Sequence, residues 1–75
     1  MSTDADTAPI TLNGTTRRIT PPHPLMDLLA DLEIDADTQG VAVAINEAVV
    51  RREDWASTTV QPGDDVEVIQ ALQGG

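Results

Sequence analysis

At 75 residues the chain holds one domain at most, near the lower limit for folding without staples, and with no cysteine it has neither disulfides nor cysteine-based zinc sites. A domain this small cannot also enclose a deep substrate pocket, which argues against a stand-alone enzyme. Its formal net charge of −9, thirteen acidic residues against four arginines, makes nucleic acid and anionic membranes poor partners; it suits docking on a basic protein surface and equally serves solubility alone.

The segment Met1–Ala8 has no basic or apolar stretch of the kind a signal peptide needs, so it reads as a disordered polar tail. No apolar run approaches the ~18–20 residues that span a bilayer, and the expected location is the cytoplasm. Ile10-Thr11-Leu12 alternates as a strand does, and Asn13-Gly14 is a strong two-residue hairpin signal because both residues tolerate positive φ. Thr15 to Thr20 returns as a second strand. Pro21, Pro22 and Pro24 interrupt sheet pairing, and Pro24 suits the first turn of a helix. Leu25, Leu28, Leu29 and Leu32 then form one apolar helix face about two turns long.

Asp35 to Gly40 is a loop. Val41-Ala42-Val43-Ala44-Ile45 is continuously apolar, the pattern of a central strand covered on both faces. Asn46-Glu47-Ala48 turns the chain, and Val49-Val50 starts a short strand. Arg51 to Trp55 reads as a polar turn or short 3₁₀ segment that plants the only aromatic residue, with Val60 a brief extended piece. Pro62-Gly63-Asp64-Asp65 is a turn, and Val66 to Leu72 is the last strand. A single leucine-faced helix can cover one face of one mixed sheet of four to five strands. An α+β, β-grasp (ubiquitin-like) fold follows, with the first and last strands adjacent at its centre. The boundaries are a tail over 1–8, a domain over 9–72 and a flexible Gly-Gly arm over 73–75.

Gly74-Gly75 is the sharpest candidate site. Without Cβ atoms such an arm threads a narrow channel, and its terminal carbonyl is unhindered once another enzyme has activated it. Strand alternation puts Val66 and Val68 on the core side and Ile69 and Ala71 on the other, beside the arm. Ile69, Ala71, Leu72 and Gln73 are therefore candidate partner-binding residues, unless the Trp55 turn covers them. His23 reads as a surface histidine, and Ser57 lacks the setting of a nucleophile elbow. Asp35-Ala36-Asp37-Thr38-Gln39-Gly40 opens like a calcium loop, but Asn46 stands at its twelfth position and no second helix follows, so no metal site is expected. Trp55 reads as a core or lid residue.

From Ile10 to Gly75 the chain resembles the ThiS family, the ubiquitin-like sulfur carriers of thiamine biosynthesis. The resemblance rests on Leu12-Asn13-Gly14, the leucine helix, Gly40-Val41-Ala42-Val43-Ala44-Ile45-Asn46, Arg52-Glu53-Asp54-Trp55-Ala56, and Gln70-Ala71-Leu72-Gln73-Gly74-Gly75. Glu33 and Glu47 stand where the family often has glycine, Arg51 stands where proline is common, and the Asp35–Gln39 loop is slightly long. The resemblance implies a carrier, not an enzyme, with no bound cofactor. An E1-like (ThiF-like) adenylating enzyme would use ATP and magnesium to adenylate Gly75. Sulfur drawn from cysteine through a desulfurase would convert the adenylate to a thiocarboxylate, and a ThiG-like thiazole synthase would accept that sulfur. The alternatives are the small subunit of molybdopterin synthase, a ubiquitin-like protein modifier, and a plain β-grasp binding domain.

Overall fold

The structure, a computed structural model, describes residues 6–71. The elements in chain order are β1 (Ala8–Leu12), β2 (Thr15–Ile19), β3 (His23–Pro24), α1 (Leu25–Asp31), β4 (Val41–Ile45), β5 (Ala48–Val50), a 3₁₀ segment (Arg52–Ser57), β6 (Thr59–Val60) and β7 (Asp65–Gln70). The main sheet runs β2-β1-β7-β4-β5, with β1 and β7 parallel and the other pairs antiparallel. The first and last strands thus lie side by side, as the β-grasp arrangement requires.

Two hairpins share one device. Leu12 pairs with Thr15 across Asn13-Gly14, and Ile45 pairs with Ala48 across Asn46-Glu47. All four loop residues have positive φ, the backbone that lets a two-residue turn follow the twist of its strands.

The helix ends earlier than its leucine face. Leu32 is the C-cap, Glu33 N–H donates to the Ala30 carbonyl, and Ile34 N–H donates to the Leu29 carbonyl, each at 2.9 Å. This pair of bonds is a Schellman motif, with Glu33 in the left-handed position at φ 63°. Ile34 is buried as the motif's apolar partner, although the sequence reading gave it no role.

Leu25, Leu28 and Leu29 seal against Ile10, Leu12, Ile19, Val43, Val66 and Val68 from the sheet, with Ile34, Trp55 and Val60 closing the sides. Trp55 is 1% exposed, and its Nε1 donates to the Val50 carbonyl at 3.1 Å. It is a core residue.

Several expectations are corrected. Val41–Ile45 is covered on one face only: Val43 is buried, Ala42 is exposed and Ala44 half-buried. Alanine in the outward positions made the run look continuous, because a methyl group costs little to leave in water. The prolines do not abolish pairing, since His23-Pro24 forms a small antiparallel ribbon with Thr59-Val60. Pro24 precedes the helix as its N-cap, with extended ψ of 141°. His23 is half-buried, and its Nε2 is shielded from solvent without a hydrogen-bond partner among the described residues, so it is no simple surface histidine. Ala8 is in β1, opposite Ile19, so the sheet starts inside the segment read as tail. The last strand begins at Asp65 and ends at Gln70.

The root of the C-terminal arm

Strand β7 leads to the C-terminal arm, and two asparagines in the hairpin turns hold it. The Asn13 side chain accepts from Val68 N–H at 2.8 Å and donates to the Val68 carbonyl at 3.1 Å. It thereby imitates a backbone partner across 55 residues of sequence. The Asn46 side chain accepts from Asp65 N–H at 2.9 Å, while Asn46 N–H donates to the Asp65 carbonyl at 2.8 Å. Asn46 Nδ2 also donates to the Asp64 carboxylate. Both asparagines sit in the left-handed region, which turns their amides onto β7.

The turn before β7 is equally tied. Gln61 N–H donates to the Asp64 carboxylate at 2.8 Å, and Gly63 N–H donates to the Pro9 carbonyl at 2.8 Å. Gly63 has φ +84°, as the residue after the proline of a Pro-Gly turn requires. Past β7, Ala71 N–H donates to the Gly40 carbonyl at 2.8 Å. Leu72, Gln73, Gly74 and Gly75 lie outside the described residues.

The sheet face opposite the helix is open. Ile69 is 63% exposed and Val49 78% exposed, and Ala71 is exposed as well. Ala42 pairs with Ile69 and Ala44 with Val49, so these side chains share one face. Glu67 lies opposite Ala44 on that face, and Asp65 and Glu47 are exposed nearby. The Trp55 turn covers neither Ile69 nor Ala71, since Trp55 points into the core.

The other candidates have local structural uses. The Asp35 carboxylate accepts from Asp37 N–H at 2.9 Å and from the Thr38 hydroxyl at 3.2 Å, which closes a tight turn. The Ser57 hydroxyl donates to the Asp54 carbonyl at 3.1 Å. Among the described residues no group of three or more His, Cys, Asp or Glu could hold a metal.

Comparison with known proteins decides the affiliation. The model of the ThiS family matches residues 10–75. The chain belongs to the ThiS family. It is 42% identical over 43 residues to the sulfur carrier protein ThiS of Escherichia coli (strain K12), a match that takes in 57% of this chain and 65% of that protein. It is also similar to the crystal structure of the thiamine biosynthesis protein ThiS from Geobacter metallireducens. There the TM-score is 0.70 at 32% identity, covering 89% of this chain and 99% of the other. The solution structure of a thiamine biosynthesis protein from the same organism gives 0.70 at 30% identity, covering 89% and 87%. Glu33 and Glu47, where the resemblance led glycine to be expected, have the left-handed φ of 63° and 70° that glycine adopts freely, and Arg51, where it led proline to be expected, has the proline-like φ of −66°.

Sequence reasoning missed the asparagine clamps on β7 and the role of Arg52, whose guanidinium donates to the carbonyls of Ala36 and Thr38. No periodicity reports a side chain bonding to backbone so far away. The Asn-Gly pattern signalled a turn and nothing more.

Proposed function

We propose that this protein is a sulfur carrier of thiamine biosynthesis whose working group is the Gly75 carboxylate. The observation that carries the reading is the family match, whose range, residues 10–75, takes in Gly74-Gly75. The carboxylate itself is a poor electrophile. In the proposed cycle an E1-like adenylating enzyme joins it to AMP, with ATP and magnesium as that enzyme's reagents and pyrophosphate as the leaving group. A persulfide, with a cysteine desulfurase as its indirect source, then displaces AMP, and a thiol reduces the resulting acyl disulfide to the thiocarboxylate. A thiazole synthase takes the sulfur in exchange for an oxygen from the acceptor's carbonyl or from water, and the carrier returns as its carboxylate. The carrier's part is mechanical: a rigid body presents an arm whose last two residues hinder neither attack.

The open face around Ala42, Val49 and Ile69 is the surface we assign to the adenylating enzyme. It adjoins the root of the arm, so one partner can hold the body and receive the tail. Its acidic surroundings call for an apolar patch with a basic rim on that enzyme.

The reading is tested by incubating the protein with a ThiS-family adenylating enzyme, ATP, magnesium and a sulfur source. Intact mass is expected to show one terminal oxygen replaced by sulfur, and removal of Gly75 to abolish the change. Persistent free carboxylate under these conditions refutes the carrier reading. Deleting the gene should create a thiazole requirement. Loss of molybdoenzyme activity instead would assign the protein to molybdopterin synthesis, and isopeptide-linked adducts would make it a modifier.

A further inference from the structure

Arg52 opens the 3₁₀ segment and is exposed, which from sequence alone makes it a solvated charge. Its guanidinium is nonetheless engaged. Nη1 donates to the Ala36 carbonyl and Nη2 to the Thr38 carbonyl, the latter at 2.6 Å. Its Cζ lies 4.5 Å from the centroid of the Trp55 ring. That ring is itself fixed, being buried and bonded to Val50. Arg52 therefore joins a rigid platform to a loop.

The loop in question leads to the arm. Its first half is closed on itself, with Asp35 N–H donating to the Thr38 hydroxyl and Thr38 N–H to the Asp35 carbonyl. Two residues on, Gly40 turns through φ +73°, and its carbonyl accepts from Ala71 N–H. Val41 pairs with Gln70, so the Gly40–Ala71 bond is the next rung of the same antiparallel ladder. Among the described residues it is also the hydrogen bond nearest the C-terminus.

We propose that Arg52 is a positioning residue for Ala71, the end of the described chain next to the Gly74-Gly75 terminus. By pinning the carbonyls of Ala36 and Thr38 to the Trp55 platform, it holds the Gly40 carbonyl where Ala71 N–H meets it. This fixes Ala71, the last described residue ahead of Gly74-Gly75. A planar guanidinium bonds two carbonyls at once and stacks on an indole, whereas a lysine ammonium does not reproduce that geometry. The consequence for sulfur loading rests on the proposed role of Gly75. A root left free to wander must be ordered at each encounter with the enzyme, which weakens productive binding and leaves the chemical step alone.

The test uses the full chain with Arg52→Ala and Arg52→Lys, each checked for a native far-UV circular dichroism spectrum, since Arg52 itself lies on the Trp55 ring. Amide hydrogen exchange is read at Ala71 and, as an internal control, at Val68, whose N–H bonds to Asn13. In Arg52→Ala, exchange at Ala71 is expected to rise about five- to tenfold while Val68 is unchanged. In pyrophosphate exchange with the adenylating enzyme, KM for the carrier should rise about tenfold, with kcat within about twofold of the parent. Arg52→Lys is expected to behave nearly as the alanine variant does. The proposal is overturned by unchanged exchange at Ala71, by Val68 loosening in step, by a fall in kcat at constant KM, or by full protection in Arg52→Lys. If the unmodified protein supports no pyrophosphate exchange, the sulfur-carrier reading fails, and the Ala71 amide still decides the positioning role.

Discussion

Glu33 and Glu47 hold left-handed backbone at sites where glycine would be unstrained, one at the helix end and one in the second hairpin turn. For an L-residue that conformation costs roughly 1–2 kcal/mol, while the extra freedom glycine gives the unfolded chain costs roughly 0.5–1 kcal/mol. The first effect wins. Both side chains are exposed, so no burial is lost on replacement. Glu33→Gly and Glu47→Gly should each stabilise the fold by about 0.5–1 kcal/mol. Urea unfolding should show the midpoint rising at constant slope. Asn13 and Asn46 share the same backbone at lower cost, because a short polar side chain bonds locally there.

Among the elements, β7 is the middle strand of the five, paired with β1 on one side and β4 on the other. The parallel register with β1 covers only Thr11↔Asp65 and Leu12↔Val66. Beyond it Asn13 takes over as a side-chain partner for Val68, so the turn residue lengthens the ladder. Asn13→Ala removes two hydrogen bonds and should cost about 1–2 kcal/mol. Exchange at the Val68 amide should rise more than exchange at amides of β2, and equal rises at both would show a general loosening instead. The same element shows why boundaries were harder to read than existence. Val66 and Val68 announce a strand, but its first residue, Asp65, is in the ladder only because Thr11 and Asn46 lie beside it. Likewise the two-residue ribbon of His23-Pro24 and Thr59-Val60 has too little sequence pattern to be seen in advance.

At the scale of the whole molecule, the helix covers one face of the sheet and leaves the other, with Val49 and Ile69, in solvent. Ile69→Asp should therefore change stability by no more than about 0.5 kcal/mol while weakening binding to the adenylating enzyme. Calorimetry on the pair checks both halves, and equal affinity for parent and variant would remove this face from the interface. With a net charge of −9, association should also slow as salt rises from about 0.05 to about 0.5 M, because screening shortens the reach of the charge. The amino-acid order by itself determined the strand-strand-helix-strand succession, both hairpin turns, the leucine face, the outward placing of Ile69 and Ala71, and the diglycine end. These are local periodicities and backbone preferences, each legible within a few residues. Only the tertiary structure decided that Val41–Ile45 is covered on one side, that His23 is partly enclosed, that Asn13 reaches Val68, and that Arg52 reaches the loop beneath Ala71. Those facts depend on which distant surfaces meet, and that is set by burial of the shared core and not by any local pattern.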